Sequence, residues 1–448
     1  MPTKKITELT SYAANDINTA TDVLPIVDIT NTETKKATID AMLSKYTTNT
    51  NVYYVSPQGD NSIAENGNIN KPYQTIEGAR AAAVAAGETS GSLINVLPGV
   101  YTEGTLTTSY IGSFYFHPGS VVSGSSGVKM FDVDSNPLNV YGYGDFHSIG
   151  SFIELSTSGT GYFECRNVTQ ASSNTFCYLD GTAELTFKAN KVEFKSVMSA
   201  AGFTSRDGSI LTTHIDEFDS SNGNFDFHFR QGGQSSIYNG VANVNVKKWT
   251  KHRGYCWLVG NVTRDAKTFL NVDQWFITGS TVWVMAYQGN GGDDYHKFKG
   301  NINVQVPINS LLEDTSGTGY HEIIMEGNAY VKSNSIPFDI NGGANSNVTI
   351  DMWIESSGST NVIDHSNGNL YLNKSLYNET GDGVNTTGGT LYIDNYKIVT
   401  SGSAANESIK SSGARNIVVN NILSSNSSVN SNITNIGPGF MISSSNVG

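Results

Sequence analysis

The chain has 448 residues, 46 of them Gly, with 15% charged residues and a formal net charge of −13. An acidic surface repels phosphate backbones, which argues against nucleic-acid binding, and no run of about 18 apolar residues exists to insert into a membrane. Met1–Asp16 lacks the apolar stretch of a signal peptide, so synthesis in a cytoplasm is expected.

Residues 1–50 differ in pattern from the rest. Val23–Ile29 reads as a short strand, Asn31-Thr32-Glu33 as a turn and Lys36–Ile39 as an answering strand. Asp40 suits the N-cap of one or two helical turns through Lys45. A hairpin this small holds no core of its own and must pack on copies of itself or on a partner. Thr47–Asn51 is a polar linker. The run Asp22, Leu24-Pro25-Ile26-Val27-Asp28, then Thr34-Lys35-Lys36, Thr38-Ile39 and Leu43, resembles the short N-terminal module of bacteriophage tail fibres, tailspikes and head fibres. The resemblance implies that residues 1–50 join the chain to other tail or capsid proteins. Leu24, Pro25, Ile26, Val27, Asp28, Lys35, Lys36 and Ile39 are the implied anchor positions.

Residues 51–100 carry Tyr53-Tyr54-Val55-Ser56-Pro57-Gln58-Gly59-Asp60, then Lys71-Pro72-Tyr73-Gln74-Thr75-Ile76, then Val96-Leu97-Pro98-Gly99-Val100-Tyr101. Gly59-Asp60 suits a tight turn, and Thr75 suits the N-cap of a helix over Ile76–Ala86. Ile76, Ala79, Ala83 and Ala86 share one face of that helix. Such a helix plugs the open end of a solenoid and hides its strand edges. These runs are similar to the opening of right-handed parallel β-helices of the pectate-lyase-like superfamily. That fold hosts lyases, hydrolases and inert rods, so the likeness implies fold and not chemistry.

Residues 101–448 read as the shaft with a C-terminal oligomerisation tail, and from residue 140 onward an alternating run of β-branched and aromatic residues recurs about twelve times, each followed by Gly, Ser, Asn or Asp. The runs begin at Val140, Gly161, Leu185, Ile210, Val241, Phe269, His296, Tyr320, Val348, Leu370, Leu391 and Ile417. A strand-and-turn repeat of this period predicts an all-β fold of stacked coils, a parallel β-helix shaft. Each coil buries its apolar face only against its neighbours.

Three cysteines (Cys165, Cys177 and Cys256) have no metal-ligand spacing and read as small buried hydrophobes; no metal or cofactor is expected. Glycan-cleaving enzymes need paired carboxylates, and neighbouring coils place two of them about 5 Å apart. Candidates are Asp293 and Asp294 in a Gly-rich turn, Asp216 and Glu217, and Asp226, which shares a strand face with His228 and Arg230. The bland alternative is turn chemistry for the first pair and surface ion-pair ladders for the others. Four of the five Trp lie between 249 and 283, and Trp249 to Trp275 and Trp257 to Trp283 are each 26 residues apart. Each pair is expected to stack on adjacent coils, either as a platform for a glycan or inside the core or an interface.

The resulting expectation is a virion fibre or tailspike that binds host-surface glycan, with a polysaccharide depolymerase as the competing reading. A homotrimer is expected because the anchor is too small to fold alone. Phe440, Met441, Ile442 and Val447 would also otherwise sit exposed at an open coil end. Fibres of the resembled kind are usually trimers.

Overall fold

All twelve repeated runs fall on strands of one parallel sheet. The computed structural model describes residues 23–28, 33–38, 51–87, 92–107, 112–134, 136–196, 201–206, 208–222, 225–230, 241–251, 255–260, 267–279, 283–289, 294–304, 310–315, 320–331, 336–357, 361–378, 381–400, 409–411, 416–419, 422–424 and 440–442. For 23–28, 33–38, 201, 225–230, 255–260, 283–289, 394–400 and everything after 409 it describes the backbone alone.

The architecture is a parallel β-solenoid. Strands of ten or eleven residues, from Thr160–Gln170 to Thr390–Thr400, stack in nine successive parallel steps. Side chains alternate along them. In Ser346–Ser356, Val348, Ile350, Met352 and Ile354 point inward, while Asn347, Thr349, Asp351 and Trp353 point out. The steps run from 21 residues (Asn369 to Thr390) to 31 (Ile210 to Val241), because loops absorb the difference while the strands keep register. A second parallel sheet of 13 shorter strands, Leu106–Thr107 to Ile409–Ser411, closes the coil opposite. The sequence pattern showed one strand per turn and missed these; at two to seven residues they hold too few alternations to stand out.

The long strands bend midway. In each of five consecutive strands one residue at the bend, Arg166, Asn190, Asp216, Lys247 or Asp273, has no partner in the ladder, and two outward residues follow one another there. At Gly300 the bend loses a residue and the pairing becomes continuous through Gly327 and Met352.

The first turn begins at Val52, since Val52–Val55 and Leu93–Val96 already belong to the large sheet. An α-helix, Ile76–Ala85, packs on these strands and on Gly99–Glu103. Thr75 Oγ1 caps it by accepting from Gly78 N at 3.0 Å. The buried face is Ile76, Ala79, Arg80 and Ala83. Ala86, expected on that face, is the exposed C-cap; Arg80 is buried there as well, its guanidinium forking onto Glu77 at 2.6 and 2.7 Å. Glu103, reaching from the next turn, accepts from Ile76 N at 2.8 Å and Glu77 N at 3.2 Å. Burial pushes its pKa up, against the pull of those two amides. Gly59 is set by contact: a Cβ there would overlap the carbonyls of Pro72 and Tyr73, to which Asp60 N and Ser56 N bond.

Residues 23–28 and 33–38 pair antiparallel in a sheet of their own, with Pro25 opposite Lys36 and Ile26 opposite Lys35. At the far end Phe440–Ile442 adds to the large sheet beside Ile417–Val419; Val447 lies outside the described residues.

Candidate functional site

The acidic candidates separate into two environments. Asp216 and Glu217 lie on the outside and are ion-paired, Asp216 with Lys247 at 2.7 Å and Glu217 with Lys191 at 3.3 Å. This is the surface-ladder alternative. Asp226 sits on the strand Phe225–Arg230, but its side chain lies outside the described residues, as does all of Asp293.

Asp294 is not a solvated loop acid. It opens the strand Asp294–Val304, where the alternation turns it inward with His296 and Phe298, and it is 1% exposed. It belongs to a polar interior. His321 Nε2 lies 3.0 Å from Asp314 Oδ2, and Ser346 Oγ donates to the same oxygen at 3.0 Å. Burial, with the charge of His321, takes the pKa of His296 down to about 3, so its ring is neutral at ordinary pH. Ser346 and His321 meet the same oxygen of Asp314, whereas serine activation places the histidine between hydroxyl and acid, and all three side chains are shut off from solvent. This is core chemistry.

The tryptophan pairing divides likewise. Trp249 and Trp275 are register partners on adjacent turns with centroids 4.9 Å apart, as their spacing predicts. Both are buried, at 1% and 4% exposure, so they form no surface platform; the core alternative is the observed one. The reason is the bend. Two consecutive outward residues, Lys247-Lys248 and Asp273-Gln274, shift the phase so that the tryptophans turn in. Trp249 Nε1 donates to Ser220 Oγ at 2.8 Å. Trp257 is not paired with Trp283: the register sets Ala286 beside Trp257 and Ser310 beside Trp283. The connection leading to the strand Trp283–Gly289 is longer than its counterpart one turn earlier, so a shared spacing does not carry across to the second sheet. Their side chains lie outside the described residues. Among the described side chains the exposed tryptophan is Trp353, at 41%.

Two surface features escaped the sequence reading. On the outer face of the short-strand sheet, Glu313, Asp339 and Asp364 are register partners on three successive turns. Burial and then the charge of Asp339 raise the pKa of Glu313; burial, then Asp364 and Asp314, raise that of Asp339. Asp364 accepts from Asn361 at 2.7 Å and from Asn385 at 3.0 Å. No cation is ion-paired to these three among the described residues. Only the register of unrecognised strands would have revealed this row.

The second feature is a groove along the bend. Two hollows of about 280 and 130 Å³ share Asn271 and Asp273 and run from His214 to Gly327. Their outward lining is polar: Asp216, Asn245, Lys247, Asn271, Asp273, Lys299 and Asn301. Amide ladders cross it, with Asn271 donating to Asn245 at 3.1 Å and Asn328 donating to Asn301 at 2.7 Å. Its floor is bare backbone. Gly327 has φ +122°, and a Cβ there would collide with Gly300 O.

Cys165 and Cys177 are buried thiols, with pKa values raised chiefly by that burial. Among the described residues no three His, Cys, Asp or Glu side chains are grouped to hold a metal ion, and no helix is long and apolar enough to cross a membrane. Of the implied anchor positions, Leu24, Pro25, Ile26, Val27, Asp28, Lys35 and Lys36 lie on the paired hairpin; Ile39 is outside the described residues. No family model, no curated protein and no solved structure matches the chain.

Proposed function

We propose that the chain is a bacteriophage virion fibre or tailspike, joined to the particle through residues 1–50 and touching host-surface glycan through its solenoid. The observation that carries this reading is the hairpin register. The two halves of the resembled motif, Leu24–Asp28 and Thr34–Lys36, pair strand to strand in a sheet apart from the solenoid. A two-stranded unit needs a partner to be stable, which fits attachment to other virion proteins and assembly as a homotrimer. Deleting residues 1–50 is expected to leave the solenoid folded and to abolish incorporation into particles; truncated protein found in virions would overturn the reading. Light scattering is expected to give three times 48.1 kDa.

The competing reading, a polysaccharide depolymerase, gains support from the outer row. Two stacked carboxylates with raised pKa suit a proton donor beside a second acid. Register neighbours lie about 4.8 Å apart, within reach of the roughly 5–10 Å carboxyl separations used in glycoside hydrolysis. Turnover of a host polysaccharide by wild type, lost in Asp339→Asn, would replace the adhesin reading with the enzymatic one.

A further inference from the structure

We infer that the groove over the Gly300–Gly327 bend binds a linear, neutral, hydroxyl-rich polysaccharide segment laid along the solenoid axis, held by Asn245, Asn271, Asp273, Lys299, Asn301 and Trp353. This rests on the glycan-contact reading and assigns it a place.

The chemistry of the lining selects the ligand. A peptide strand would need a free sheet edge, yet each strand under the groove is paired on both sides, as Lys267–Ile277 is with Val241–Lys251 and Asp294–Val304. The ligand must therefore be gripped by side chains. Amides both donate and accept, as sugar hydroxyls do. The ladders use only part of that capacity: Asn271 gives one N–H to Asn245, while its own Oδ1 takes no protein hydrogen bond among the described residues. Charge in the lining cancels. Asp216 is paired to Lys247 at 2.7 Å, and Asp273 and Lys299 balance each other in number. A neutral polymer fits this better than a polyanion.

Shape points the same way. The lining strands, Ile210–Asp219 to His321–Val331, give a track about 19 Å long at roughly 4.8 Å per turn, so a pyranose repeat advances about one turn. The bare glycine floor lets a ring sit close to the backbone. Asn301, which lines the groove, Asn328 and Trp353 are register partners on successive turns, so an exposed indole continues the amide row one turn beyond Gly327. Aromatic faces and planar amides together are sugar-binding chemistry.

The test uses full-length protein on an array of purified bacterial O-antigen and capsular polysaccharides, neutral and uronate-bearing. Asp273→Ala, Lys299→Ala and Trp353→Ala alter exposed side chains, so their melting midpoints are expected to match wild type. Each is expected to weaken binding of a neutral polysaccharide about tenfold, the worth of one hydrogen bond to a charged group or one stacking contact. Unchanged binding in all three overturns the groove assignment while leaving glycan contact elsewhere intact. Binding restricted to uronate-bearing polymers overturns the neutral class, and no binding by wild type overturns both readings. Asp273→Cys in the intact assembly is expected to react with maleimide above the wild-type background; a protected thiol would show that copies of the chain cover the groove, and would overturn the proposal.

Discussion

Phe163 and Asp314 occupy the same kind of place, the interior of a parallel coil, and are held there by opposite means. Around Phe163 the core is a stack of rings: Phe131, Phe146, Phe152 and Phe187 lie 5.1–5.7 Å from it, and the series continues through Phe218 to Trp249 and Trp275. Around Asp314, beside Leu312 and its own register partner Ile340, the interior instead holds a buried polar set, His296, His321 and Ser346. The outer surfaces differ in parallel. Near the start Lys129 bridges Asp132 and Glu154 on adjacent turns at 3.3 and 2.8 Å, while Glu313 and Asp339 stack without such a cation among the described residues. The backbone ladder is common to both regions. The repeat therefore fixes the coil, and the side chains decide only how it is filled: area and ring packing at one end, matched donors and acceptors at the other.

That contrast can be broken at either end. The largest effect is expected from Phe163→Ala, which opens a cavity among four rings and should cost about 4 kcal/mol in a urea titration; a cost below about 1 kcal/mol would mean that the stack relaxes into the void. Asp314→Ala removes the acceptor shared by His321 and Ser346 and is expected to cost about 3 kcal/mol, whereas Asp314→Asn, which keeps an acceptor oxygen, should cost less. Equal losses for the two would show that charge and not hydrogen bonding holds the polar core. Gly327→Ala forces a side chain at φ +122° against Gly300 O and is expected to cost about 2 kcal/mol, read as a lower melting midpoint.

The smallest effect concerns the outer row. Glu313 and Asp339 have folded pKa values above their ordinary 4.5 and 3.8, so the folded chain binds more protons than the unfolded one there. Their contribution is complete below those ordinary values and is lost as pH rises through the raised ones. Asp339→Asn is expected to flatten that decline in melting temperature and to raise it slightly at neutral pH. An unchanged pH profile would show that the row carries no like-charge strain.

Much of the fold was legible in the chain because its signals are local. Alternation over ten residues announces a long strand, Thr75 before Ile76 announces a helix start, and the Trp249–Trp275 spacing announces a stacked pair; all three appear as read. The short strands were invisible because two to seven residues hold too little periodicity. The bend was invisible too, and it decided which face each side chain takes. One added outward residue turned Trp249 and Trp275 into the core, and the strand start at Asp294 turned an apparent loop acid inward. Register across turns lies further still from the sequence. Glu313, Asp339 and Asp364, 25 or 26 residues apart in the chain, are neighbours only in the fold, as are Asn301, Asn328 and Trp353, spaced by 27 and 25. The sequence by itself determined a stacked parallel coil with a capped entry, since those follow from local alternation and capping. The tertiary structure alone decided which polar residues line up on one surface, because alignment across turns depends on loop lengths and bends that no local pattern records.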